Sequence, residues 1–145
     1  MKRLGILALL FVAGCGTTFD RDWESAGASK AENGLEGAWD GTWLSDENGH
    51  TGSLRCIITR REDRGFDSRY YAGYGWFIFW FGFEYTIPTT AVTDGSAWLL
   101  RGSAMLDSCI GGGLYEYEAR VEQDEYVASY RSSFHRGIFK MKRAR

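Results

Sequence analysis

Tyr115-Glu116-Tyr117-Glu118-Ala119-Arg120-Val121-Glu122 sets ring-bearing or aliphatic side chains at every odd position and charged ones at every even position. Successive side chains of an extended strand point to opposite faces, so a period of two describes a strand with one buried and one solvated face. The same residues on a helix would scatter both classes around its circumference. The pattern continues in both directions. Toward the C-terminus, Tyr126, Ala128 and Tyr130 alternate with Val127, Ser129 and Arg131, and Phe139 and Met141 with Lys140 and Lys142. Toward the N-terminus, Trp98, Leu100, Gly102 and Ala104 oppose Arg101 and Ser103. Phe81, Phe83, Tyr85 and Ile87 oppose Glu84 and Thr86. Tyr70, Ala72, Tyr74 and Trp76 share a face, as do Leu54, Cys56 and Ile58 against Arg55 and Thr59, and Trp39, Gly41 and Trp43 within Gly37 to Ser45. Turn formers separate these runs: Asn48-Gly49, Asp63-Arg64-Gly65, Asp94-Gly95 and Gly111-Gly112-Gly113.

Eight strands in sequence, joined by short links and without a sustained helical period, predict an all-β domain. Each strand has one apolar face, and closing the sheet on itself buries all eight faces and removes the edges. The expected architecture is therefore a small eight-stranded antiparallel up-and-down barrel, with a two-layer β sandwich as the alternative. Nineteen glycines, a single proline and abundant Phe, Tyr and Trp agree with antiparallel β structure. The link between Trp76 and Phe81 is the hardest to see, because only apolar residues are present to make the reversal.

The N-terminus reads differently. Met1-Lys2-Arg3 is basic, Leu4 to Ala13 is apolar, and Val12-Ala13-Gly14-Cys15 follows. The apolar run is short for a membrane-spanning helix, which needs about 20 residues, and has the length of a signal core. The order basic, apolar, small-small, cysteine resembles the lipobox of bacterial lipoproteins. That resemblance implies a signal peptide over 1–14, removed before Cys15, and palmitate-class acyl chains on Cys15. Two or three such chains hold a protein stably on a membrane. Gly16 in place of an Asp implies the outer membrane, with the domain facing the periplasm. Residues 15–35 then form the lipidated cysteine and a flexible tether, because GTTFDRDWESAGASKAENGL is polar and small; the barrel domain takes 36–145.

Removing Lys2 and Arg3 from the 17 basic residues leaves 15 against 19 acidic ones, a net charge of −4. That balance argues against a nucleic-acid partner. With Cys15 lipidated, Cys56 and Cys109 remain as an even pair in an oxidising compartment, which predicts a disulfide, with two buried free thiols as the alternative. The two histidines, His50 and His135, lie far from them in sequence and no CxxC occurs, so no metal site is expected.

Gly37-x-Trp39 at the start of an eight-stranded domain resembles the calycin group, the lipocalins and avidin-like barrels. In lipocalins the tryptophan of this motif packs across the closed end. Gly41-x-Trp43 fits equally, so the register stays open. The resemblance implies an interior able to hold a small molecule.

Two clusters are candidate sites. Tyr70, Tyr74, Tyr85, Tyr115, Tyr117, Tyr126 and Tyr130 all fall on inward positions. Their hydroxyls need partners when buried, and a ligand, one another, backbone or water would serve. Trp76, Phe77, Phe79 and Trp80 form an aromatic rim that would dip into a membrane, cover a ligand entrance, or lie within a long covered hairpin. Arg60, Arg61, Arg64 and Arg69 read as solvated rim charge or as a site for an anionic partner. Ser132 and His135 share a turn, but no nucleophile elbow or third triad member accompanies them. The expectation is thus a non-enzymatic envelope lipoprotein without a cofactor, holding a small apolar ligand. The alternatives are a solid-core structural or interaction module that meets an envelope component, and a hydrolase.

Overall fold

The computed structural model describes residues 16–28, 34–76, 79–106 and 112–145. A helix, α1 (Gly16–Ala28), precedes eight strands: β1 (Gly37–Ser45), β2 (Thr51–Arg60), β3 (Phe66–Trp76), β4 (Phe79–Asp94), β5 (Ala97–Leu106), β6 (Gly113–Glu122), β7 (Glu125–Arg131) and β8 (Arg136–Arg143). Each strand pairs antiparallel with the next, and β8 returns to β1 through Trp39↔Arg143 to Ser45↔Gly137. The sheet is therefore a closed eight-stranded barrel, and the sandwich alternative is not adopted. The register places inner residues opposite inner residues: Tyr117↔Tyr130, Ala119↔Ala128 and Val121↔Tyr126 join β6 to β7.

Strand β4 runs well past Ile87. It pairs with β3 up to Thr89 and with β5 from Thr89 onward. Pro88 falls at that change of partner, where a missing N–H disturbs the ladders least.

The barrel has two unlike ends. One carries the links β2–β3, β4–β5 and β6–β7, and is filled. Trp39 is fully buried there with Leu35, Ile58, Val121 and Tyr126. Its indole N–H donates to the Leu35 carbonyl at 3.1 Å, and the Arg143 guanidinium lies over its ring at 4.2 Å. Trp39, not Trp43, is thus the tryptophan that closes this end.

Two expectations are corrected. The segment read as a flexible tether contains α1, docked on the outer wall of β1 and β2. Phe19 is fully buried. Its ring lies 5.3 Å from that of Tyr71, and the guanidiniums of Arg55 and Arg69 each lie over it at 5.2 Å. Asp20 and Asp22 pair with those same arginines at 2.7 and 2.8 Å. Arg69 holds the Asp22 carboxyl below the usual carboxylate range. A 13-residue helix is marginal alone in water; these contacts hold it. The expected disulfide is also corrected, because Cys56 is a buried free thiol. It sits mid-strand on the inner face of β2, between Trp39 and Tyr70 in the register. That wall is already packed, and burial pushes the thiol's pKa up. Cys109 lies outside the described residues, as do Cys15 and the signal segment 1–14.

Candidate functional site

The other end of the barrel, which carries the β1–β2, β3–β4, β5–β6 and β7–β8 links, is hollow. A cavity of about 430 Å³ occupies it. Its walls are mostly aromatic: Trp43, Tyr74, Phe83, Tyr85, Tyr115, Tyr117, Tyr130 and Phe139, with Ala72, Ile87 and Leu106 between them. Ser45, Asn48, His50 and His135 supply the polar groups near the links. A water takes up about 30 Å³ in the liquid, so this is no packing defect. The volume lies in the range of small-molecule sites, roughly 300–1,000 Å³.

Local sequence explains the space. Trp43 extends its indole over Gly52 and donates to the Gly73 carbonyl at 3.1 Å. A Cβ at Gly52 would come within 2.6 Å of that indole nitrogen. Only glycine there lets the ring lie flat along the wall and leave the lumen open.

The floor is a hydroxyl cluster. Tyr70 donates to the Tyr117 hydroxyl and shares a 2.7 Å hydrogen bond with Tyr126. Its ring stacks on Tyr85 at 5.2 Å. Burial raises the Tyr70, Tyr85 and Tyr126 hydroxyls well above the usual phenol value, and pushes Tyr130 up to about 12. The seven tyrosines therefore divide. Tyr70 and Tyr126 belong to the core beneath the cavity, while Tyr74, Tyr85, Tyr115, Tyr117 and Tyr130 line it. Tyr117 bonds the floor and Tyr130 reaches the Leu44 carbonyl at 3.5 Å. Among the described residues, the Tyr85 and Tyr115 hydroxyls have no hydrogen-bond partner. The site can thus enclose an apolar body and offer hydrogen bonds from one side.

The aromatic segment reverses between Trp76 and Phe79, which pair as the last rung of β3 and β4. Phe77 lies outside the described residues. Trp80 is 75 % exposed and rests over Gly75, and Phe81 stacks on Tyr74 at 5.5 Å.

Other candidates are occupied or scattered. The Ser132 hydroxyl accepts from the N–H groups of Phe134 and His135 at 3.2 and 3.0 Å, so it caps its own turn. Arg60 pairs with Glu36, Arg61 with Asp63 and Asp67, and Arg69 with Asp22 and Glu84. Among the described residues, no group of three or more His, Cys, Asp or Glu is placed to hold a metal ion. Two grooves of about 640 Å³ run along the outer wall, one lined by Arg101, Glu116, Glu118 and Arg131, the other by Lys140, Lys142 and Arg143 beside Trp23. Charged walls open to water suit an apolar ligand poorly, and the lumen is the better site despite its smaller volume.

Sequence reasoning did not single out His50, His135 or Trp43 as lining residues. Trp43 had a signal, since it shares the inner face of β1 with Trp39. The histidines had none, because link residues acquire a lumen only when the barrel closes.

Comparison with protein-family models, with curated proteins and with solved structures gives no match for this chain.

Proposed function

We propose that this chain is a lipid-anchored envelope protein that holds a small apolar ligand in its barrel and catalyses no reaction. The aromatic cavity carries the reading. Apolar walls would take up the ligand's body, and the unpartnered hydroxyls of Tyr85 and Tyr115 would meet one polar group on it. A ligand without such a group would leave those hydroxyls unsatisfied, at roughly 1–3 kcal/mol each where water is excluded. Anchoring follows from the lipobox-like Val12-Ala13-Gly14-Cys15, with acyl chains on Cys15 and, from Gly16, residence at the periplasmic face of the outer membrane. The closed barrel and Trp39 at its filled end support a calycin-like reading.

Native mass spectrometry of protein drawn from its own membranes tests the ligand. A retained adduct of defined mass, lost on denaturation, is expected. An apo mass alone, together with no saturable binding of a fatty acid, a sterol-like and an aromatic probe, would sink the proposal. Labelled fatty acid tests the anchor: Cys15→Ser should abolish its incorporation and leave an uncleaved precursor.

A further inference from the structure

We propose that the hollow end of the barrel seats on a lipid bilayer, so that the cavity faces the membrane. Among the described residues nine large hydrophobic side chains are exposed, and seven belong to this end. Leu44 lies at the end of β1, and Trp80 and Phe81 open β4 beside Tyr74. Met105 and Leu114 face one another across β5 and β6, and Phe134 tips the β7–β8 link. Trp80 and Met105 are each 75 % exposed and Phe134 is 73 % exposed. These positions encircle the barrel, so the apolar surface is a ring around one end and not a stripe along one side. Toward the filled end only Val92 and Val127 are exposed large hydrophobics among the described residues, and its links are charged, with Arg61, Glu62, Asp63 and Arg64 in one and Asp124 in another. At the hollow end the β1–β2 link, Asp46 to His50, is polar and interrupts the ring. Exposed apolar side chains gathered at one end and bordered by polar residues mark a contact surface.

The neighbouring charges do not point to an anionic partner. Glu116 pairs with Arg131 at 2.7 Å, and Glu47 with Arg136 at 3.9 Å. The expected attraction is apolar, with Trp and Tyr suited to the membrane–water interface.

Helix α1 supplies the direction. Its C-terminal part lies at the filled end, where the Ala26 carbonyl meets Gly37 and Gly27 meets Ala38. Phe19 lies higher on the wall, against Tyr71. The helix therefore climbs toward the hollow end as it runs back to Gly16, and Cys15 is the next residue. At about 1.5 Å per helical residue, Gly16 is roughly 4.5 Å beyond Phe19. At about 3.3 Å per strand residue, the tip of β3 is roughly 16 Å beyond Tyr71. The aromatic tip thus reaches past the anchor point by on the order of 10 Å, comparable to the depth of interfacial burial. The direction rests on the anchor proposed at Cys15; the apolar ring does not. An apolar ligand would then pass between acyl chains and cavity without crossing water.

A chain starting at residue 15 with Cys15→Ser contains every described element, so it serves for the ring. Mixed with vesicles of phosphatidylethanolamine and phosphatidylglycerol, it should float with them at low and high salt alike. Trp80→Ser with Met105→Ser, the two most exposed apolar residues of the ring, should bind at least about tenfold more weakly while keeping its melting temperature. Val92→Ser, an exposed apolar residue near the filled end, should bind as the parent does. Absence of flotation, or equal loss in the Val92 variant, overturns the ring. So does a dimer in solution that the double variant dissolves while vesicles are ignored. The lipidated protein tests direction: a spin label near the lipid headgroup should quench tryptophan fluorescence, and Trp76→Phe together with Trp80→Phe should remove most of that quenching. Fatty-acid incorporation without such quenching overturns the direction and leaves the anchor standing. Flotation without fatty-acid incorporation overturns the anchor and supports the ring.

Discussion

Tyr70 is the residue on which the floor of the cavity depends, because its hydroxyl joins two others. Tyr126 is fully buried, with no contact to the cavity, so its hydroxyl has Tyr70 and no route to water. Tyr117 lines the cavity, where water can replace a lost partner. Tyr70→Phe should therefore cost about 1–3 kcal/mol, chiefly through Tyr126, read as a lower urea midpoint. Tyr126→Phe should cost less, since Tyr70 keeps Tyr117; the reverse order would refute this account. The same burial makes stability pH-dependent at the alkaline side. Tyr70, Tyr85 and Tyr126 are raised well above 10.0, and Tyr130 to about 12. In the unfolded chain these phenols ionise near the ordinary value, so above it the native state binds more protons. Their contribution is fully present below about pH 10 and is lost as pH rises through the folded values. Urea midpoints should hold to about pH 9 and fall by about pH 11, with Tyr70, Tyr85 and Tyr126 contributing tyrosinate absorbance only on unfolding. Sequence placed all seven tyrosines inward through their alternation. It could not say which met one another, since that depends on which residues closure brings face to face across the lumen.

The strands were legible as elements because each carries its own period of two, and that signal is local. Helix α1 was legible in retrospect. Phe19, Trp23 and Ala26 recur at helical spacing within the polar segment, and Ile57 and Tyr71 are apolar at outward positions of β2 and β3. Neither sign suffices alone; together they describe a helix and the patch beneath it. The disulfide failed for a related reason. Counting cysteines gives pairing by compartment and carries no geometry, whereas Cys56 sits mid-strand in a packed wall. Its thiol should resist labelling in the native protein and react on unfolding. For α1, Phe19→Ala removes a large buried side chain worth roughly 1.5–3 kcal/mol, and the helix has little stability of its own. Hydrogen exchange in residues 18–28 should become fast while the barrel strands keep their protection. Unchanged protection in α1 would mean that its arginine–aspartate pairs hold it without the ring.

At the scale of the molecule, the eight strands and their closure followed from counting apolar faces, but the hollow end did not. A barrel of eight strands is just wide enough for side chains to fill, so strand number is silent on whether it is solid. Two alanines on inner faces separate the cases. Ala72 on β3 is buried and lines the cavity, while Ala119 on β6 is buried in the packed core away from it. A larger side chain in a well-packed site typically costs about 1–3 kcal/mol or more, because neighbours must leave their rotamers. Where space already exists, that cost falls away and apolar contact is added. Ala72→Trp should thus leave stability within about 1 kcal/mol of the parent, and Ala119→Trp should lower it by about 3 kcal/mol or prevent folding. A lumen that binds a ligand makes a further demand. The Ala72 indole would occupy the ligand's space, so binding of an apolar probe should weaken at least about tenfold in a variant whose melting temperature is nearly unchanged. A solid-core interaction module requires otherwise: both alanines would then be equally intolerant, and no probe would bind to be lost. Thermal melts of the two variants beside probe titrations of the parent and Ala72→Trp distinguish these outcomes, because stability and binding are expected to move independently.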